Sequence, residues 1–179
     1  MAHTNSFRWI SSLACVVCVV TAVASPASAD EITRRGIKLG GVTLKGAADG
    51  KVTYLYNGRN VVKPVTAMGF IQIDGETYFN RAEELLRDGK IDQAVETYDR
   101  ALRRARAWKR RLIRYRRLMA LRQGEQFARA VAEWVEMTAE ADEVKAMLAL
   151  CPQKPADAGS DENSRAIDTL ASAMKTTSD

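Results

Sequence analysis

Arg103, Arg106, Arg110, Arg114 and Arg117 recur at intervals of three or four residues, which on a continuous helix would align five guanidinium groups along one face. Each guanidinium is permanently charged and presents its N–H donors in a planar fork that matches carboxylate, phosphate or sulfate. A row of them is a multidentate surface for an anionic group. The same arginines have a second use open to them, because Glu133, Glu136, Glu140, Asp142 and Glu143 follow downstream and would neutralise them within the molecule. Between Arg100 and Arg122 there are 11 basic residues and no acidic one, so charge is strongly segregated along the chain.

Other groups promise less chemistry. Gly46-Ala47-Ala48-Asp49-Gly50-Lys51 has the outline of a phosphate loop, but three residues separate its glycines instead of four. Val52 also stands where a hydroxyl would have to reach magnesium, so the stretch reads as a hairpin turn. Glu83 with Glu84, and Asp88 with Asp92, could be acid–base pairs, yet a carboxylate on a helix surface is far more often solvated than catalytic. Trp108 and Trp134 lie on apolar stripes and are expected in the core.

Histidine and cysteine chemistry depends on the first 29 residues. Arg8, an apolar run over residues 13–24 and the triplet Ala27-Ser28-Ala29 have the order of a secretory signal peptide, with cleavage expected before Asp30. A membrane anchor, the alternative, needs about 20 consecutive apolar residues, and Ser11, Ser12 and Thr21 interrupt this one. Cleavage removes the only histidine, His3, together with Cys15 and Cys18, and leaves Cys151 as the single thiol. The exported chain then has no means of building a Ser-His-Asp or Cys-His nucleophile, a His/Cys zinc site or an internal disulfide. Cys151, before Pro152 at a helix end, is expected to be buried, with an intermolecular bridge as the alternative.

These residues must be positioned by two kinds of element. From Asp30 to Gly75 short alternating runs (Val42 and Leu44; Val52, Tyr54 and Tyr56; Val61-Val62; Phe70 to Ile73) are punctuated by Asp49-Gly50 and Asn57-Gly58. Both dipeptides tolerate the positive φ of tight hairpin turns, so four or five strands in a meander or a small SH3-like barrel are predicted. Beyond Asp74 or Thr77, either of which would serve as a helix N-cap, the period changes to that of helices. Tyr78, Ala82, Leu85 and Leu86 make one apolar stripe; Ile91, Ala94, Val95, Tyr98, Ala101, Leu102 and Ala105 make another, with Gly89 between. A break is expected between Arg106 and Trp108, one long helix being the alternative. Phe127, Val131, Trp134, Val135, Ala141, Val144 and Leu148 continue the helical spacing to Cys151-Pro152, and a final stripe of Ile167, Leu170, Ala171 and Met174 follows.

The spacing of Tyr78, Ala82, Leu85, Gly89, Ala94, Tyr98, Ala101 and Leu102 resembles the signature of a tetratricopeptide repeat. A degraded second copy has Leu118, Leu121, Gly124, Phe127, Ala130, Val131 and Trp134 in corresponding roles. Arg106 and Arg81 depart from the pattern, standing where proline and an apolar residue are usual. The resemblance implies stacked helix hairpins that hold a peptide along a groove.

The expected fold is therefore α+β: a small β-domain over residues 30–75, a tetratricopeptide-like helical domain over 76–150, a linker over 151–160 and a capping helix over 161–175. The expected function is an exported, periplasmic or extracellular interaction module that is not an enzyme, binding a protein or an acidic envelope component through Arg103, Arg106, Arg110, Arg114 and Arg117. No cofactor, metal or nucleic acid is expected, and the chain is expected to be a monomer. The alternative is a carboxylate-based enzyme or enzyme accessory acting on envelope glycans.

Overall fold

The computed structural model describes residues 30–155 and 159–176; the predicted leader lies outside them. The chain is an α+β protein in which five antiparallel strands precede the helices. The strands are β1 (Asp30–Arg34), β2 (Ile37–Ala48), β3 (Lys51–Tyr56), β4 (Arg59–Pro64) and β5 (Met68–Gln72). They form an open sheet in the order β4-β3-β2-β1-β5, so β4 and β5 are its two edges. The Asp49-Gly50 and Asn57-Gly58 turns take φ between 46° and 73°, as the hairpin reading requires. A third turn, Arg35-Gly36, has the same left-handed geometry without an Asn or Asp to announce it. The register of β2 shifts between Leu44 and Gly46, and this irregularity lets one long strand pair with β1 at its start and β3 at its end.

Among the described residues six helices follow: α1 (Thr77–Arg87), α2 (Ile91–Leu102), α3 (Ala107–Gln123), α4 (Phe127–Ala139), the single turn α5 (Val144–Met147) and α6 (Ser160–Thr176). Entry to α1 is fixed by neither Asp74 nor Thr77. The residue before the helix is Glu76, with no side-chain cap, and the Asn80 amide instead exchanges two 2.8 Å hydrogen bonds with the Ile73 backbone. Gly89, at φ 74°, turns α1 into α2. The break after α2 occurs where expected, with Arg106 extended and Ala107 at φ 48°.

Gly124, between α3 and α4, has a different reason to be glycine. Its own φ is −87°, and the left-handed residue is Glu125 at φ 56°. A Cβ at position 124 would meet Ile91 Cγ2 at 2.6 Å, so the second helix pair seats its turn directly on the start of α2. We expect Gly124→Ala to cost about 1–3 kcal/mol, the usual range for overpacking, as a shift in the urea unfolding midpoint. An unchanged midpoint would show that Ile91 moves aside freely.

Sheet and helices share one core, running from Ile32, Val42 and Ile71 through Phe79, Tyr98 and Leu112 to Met147 and Leu150. The C-terminal third departs from its sequence pattern. The predicted helix to Cys151 breaks at residue 140, leaving Val144 and Leu148 exposed while Met147 and Leu150 turn inward. Trp108 and Trp134 are half-buried, the Trp134 indole donating to the Met147 carbonyl at 2.9 Å. Cys151 is exposed and the adjacent Pro152 is buried instead, because the preceding turn spends its inward position on Leu150. Helix α6 packs on α4, but with Ala166 inward and the Glu162 carboxylate accepting from Ala128 N–H; the Ile167 and Met174 side chains are 63% and 72% exposed. The small Ala166 permits a closer approach than the larger residues of the predicted stripe would.

Candidate functional site

The five predicted arginines do not share a face. The break between Leu102 and Ala107 resets the helical phase, so Arg103 belongs to the end of α2 and Arg106 to the connection. Arg103, Arg106 and Arg110 are exposed. Arg114 and Arg117 are turned against α4. Arg114, 8% exposed, donates to Glu133 at 2.6 Å, Glu140 at 2.9 Å and Glu136 at 3.0 Å. Arg117 bonds Asp99 at 2.7 Å and also reaches Glu133. Burial alone would lower the Arg114 guanidinium, but Glu133 and Glu140 outweigh it and hold the group above its ordinary value. These two arginines cross-link α3 to α4 and α2, and the intramolecular alternative describes them.

What remains is a corner. Arg100, Arg103, Arg104, Arg106 and Arg110 are all exposed, and none joins a described ion pair, whereas exposed Arg111 borders a cleft with Asp49, Glu140 and Asp142. Arg104 stacks over the Tyr78 ring at 4.7 Å. The arginines at the end of α2 suit its negative terminus. Those at the start of α3 do not, for its first turn has no acidic residue and continues into Lys109, Arg110 and Arg111.

A buried polar centre escaped the sequence reading. Glu83, expected to be solvated, is 1% exposed, and Arg116 is 4% exposed. Arg116 Nε and Nη2 donate to the two Glu83 oxygens at 2.6 and 2.8 Å, the Tyr98 hydroxyl donates to Glu83 at 2.5 Å, and so does Ile71 N–H at 3.0 Å. Arg116 Nη1 and Nη2 also donate to the carbonyls of Met68 at 2.8 Å and Gly69 at 3.1 Å. The signal was present in sequence: Glu83 lies four residues after Phe79 and three before Leu86, on the inward side of α1. Every Glu83 and Arg116 heteroatom is engaged, which makes the centre a structural joint.

Burial, reinforced by Glu83, raises the Tyr98 hydroxyl well above 10, and burial raises Tyr115 as well. In the unfolded chain both lose a proton near pH 10, whereas the native state keeps them. Stability from these groups is therefore complete below about pH 10 and declines as pH climbs above it towards the folded-state values. Urea midpoints should be flat just below that pH and fall above it, more steeply than in a Tyr98→Phe, Tyr115→Phe variant. Equal slopes in the two proteins would show that neither hydroxyl carries the effect.

Carboxylates meet in two clefts beside the Asp49-Gly50 turn. One, lined by Asp49, Glu140, Asp142, Arg111 and Arg114, has a volume of about 20 Å³, room for a water molecule. The other, about 300 Å³, has Asp49 and Glu143 on its wall beside Lys51 and Lys145. There Asp49 accepts from Glu143 N–H at 3.1 Å, and the Glu143 carboxylate is 67% exposed. Among the described residues no group of three His, Cys, Asp or Glu is arranged to hold a metal ion, and no helix is long and apolar enough to cross a membrane. Compared with protein-family models, curated proteins and solved structures, the chain matches none.

Proposed function

We propose that the protein is an exported, non-catalytic interaction module, a tetratricopeptide-like helical array on a small β-domain, that binds an acidic protein or an anionic envelope component through the corner between α2 and α3. The observation that carries this reading is the set of five exposed arginines, Arg100, Arg103, Arg104, Arg106 and Arg110, that join no ion pair among the described residues, Arg106 and Arg110 lying at the positive end of α3. Cations there oppose the helix dipole by roughly 0.3–1 kcal/mol each, and the one carboxylate paired with the first turn of α3 among the described residues, Glu76, is taken by Lys109 at 2.6 Å. Anionic groups of a partner would offset the rest. The tetratricopeptide reading is supported by the successive short-turn helix pairs α1/α2 and α3/α4. Export rests on the leader-like sequence of residues 1–29, with its apolar run and the Ala27-Ser28-Ala29 triplet.

The test is titration calorimetry with polyglutamate at low and moderate salt. The unmodified protein should bind and lose affinity as salt screens the contact. Combined Arg103→Glu, Arg106→Glu and Arg110→Glu should weaken binding by about tenfold or more, equivalent to roughly 1.4 kcal/mol, without lowering the melting temperature. Equal affinity of the triple variant would remove the corner from the function. The glycan-enzyme reading rests on Asp49 and Glu143 in the 300 Å³ cleft; the engagement of Asp49 and the solvation of Glu143 make it the weaker of the two.

A further inference from the structure

The two edges of the sheet are finished differently. Along β5 the outward backbone groups are taken by side chains: Ile71 N–H by Glu83, the Met68 and Gly69 carbonyls by Arg116, and just beyond the strand Ile73 by Asn80. Along β4 no comparable side-chain bond is made among the described residues. The pairing of β3 with β4 runs from Tyr56 opposite Arg59 to Lys51 opposite Pro64, and Val65 N–H donates to the Gly50 carbonyl at 2.8 Å. Antiparallel partners alternate between bonded and non-bonded pairs, so this bond fixes the parity. Arg59, Val61 and Lys63 bond inward to β3, while Asn60, Val62 and Pro64 direct their backbone groups away from the sheet. Pro64 has no N–H to present. The open margin therefore offers two donors, Asn60 and Val62, and the carbonyls of the same two residues, with Asn60 exposed and Val62 52% exposed, while the Pro64 carbonyl caps the 3-10 turn over residues 65–67.

The charged residues of β4 itself, Arg59 and Lys63, have one sign, while Asp49 and Glu143 line the cleft at its Pro64 end and Glu143 faces Lys51. Between Gly50 and Ile73 the basic residues are Lys51, Arg59 and Lys63, and there is no acidic residue. Two copies meeting edge to edge would oppose Arg59 and Lys63 to their own kind, which disfavours self-pairing. The same charges favour an acidic strand. We propose that β4 is a docking edge for an extended, acidic segment of a partner protein, joined to the sheet by backbone pairing with Asn60 and Val62. Glutamates on one face of the added strand would lie beside Arg59 and Lys63, and apolar residues on the other beside Val62. This inference stands independently of the arginine corner.

The experiment measures amide hydrogen exchange by NMR on isotope-labelled protein carrying Arg103→Glu, Arg106→Glu and Arg110→Glu, so that an acidic peptide is not drawn to that corner. The probe is the acetylated, amidated peptide Glu-Val-Glu-Val-Glu-Val-Glu. Its comparators are the corresponding Lys-Val peptide and the Glu-Val peptide with its backbone N-methylated. The Glu-Val peptide should slow exchange at Asn60 and Val62 by about tenfold or more, and neither comparator should. Combined Arg59→Glu and Lys63→Glu should transfer the preference to the Lys-Val peptide. Unchanged exchange at both amides under excess peptide would overturn the proposal. So would equal protection by the two charge types, or protection that grows with protein concentration alone, which would assign the edge to a second copy of the chain.

Discussion

Replacing Arg116 by Met will destabilise the fold by about 3–5 kcal/mol, the range for stripping one partner from a buried ion pair. The side chain removed is 4% exposed, and the carboxylate it leaves behind has no access to solvent. Glu83 would keep the Tyr98 hydroxyl and Ile71 N–H, but two neutral donors do not compensate a charge in that environment. The Met68 and Gly69 carbonyls would lose their donor in the same substitution. Adding Glu83→Leu to Arg116→Met should recover part of the loss, because an apolar pair costs less than a widowed charge. Chemical unfolding of the single and double variants measures both effects. A single variant that unfolds at the same urea concentration as the unmodified protein would mean the joint carries no stability.

Phe79→Ala belongs in the same range, about 3–5 kcal/mol for a fully enclosed aromatic. Phe79 is 0% exposed, and its ring packs at 6.0 Å and 55° from that of Tyr98. The cavity would loosen the side chain that holds Glu83 from the α2 side. Losses from Phe79→Ala and Arg116→Met should then fall short of additive, since both act on one connected group. Trp134→Ala is the comparison: a half-buried ring lining an open groove should cost visibly less. Thermal melts of the three variants give the order, and a Trp134 variant less stable than the Phe79 variant would reverse this account of where the core lies.

Elements governed by local backbone chemistry were legible in the sequence. Asp49-Gly50, Asn57-Gly58 and Gly89 adopt the positive φ their residue types predict, and the α2–α3 break falls within the arginine-rich stretch. Arg35-Gly36 was not legible, because arginine gives no sign of a left-handed turn. The arginines show a sharper limit. Helical spacing put Arg114 and Arg110 on one face, four residues apart, yet only Arg114 lies opposite Glu133, Glu136 and Glu140, while Arg110 stands a turn nearer the start of α3. Glu83 and Arg116 are 33 residues apart, and no pattern within one helix states that they meet. The turn of α6 towards α4 is likewise set by how closely Ala166 can approach, which the larger Ile167 and Met174 conceal.

The side chains that seal β5 also set a timetable. The strand is complete at Gln72, but the guanidinium that occupies its Met68 and Gly69 carbonyls lies 48 and 47 residues further on. A polypeptide delivered N-terminus first from a ribosome therefore has all five described strands available, with a raw β5 margin, until Arg116 in α3 has emerged. During that interval the margin can be occupied only by solvent, by an accompanying chaperone or by a neighbouring nascent chain. The same reasoning governs dissection of the gene product. A fragment ending at residue 75 contains the five described strands and lacks Glu83 and Arg116, so its β5 side stays unfinished.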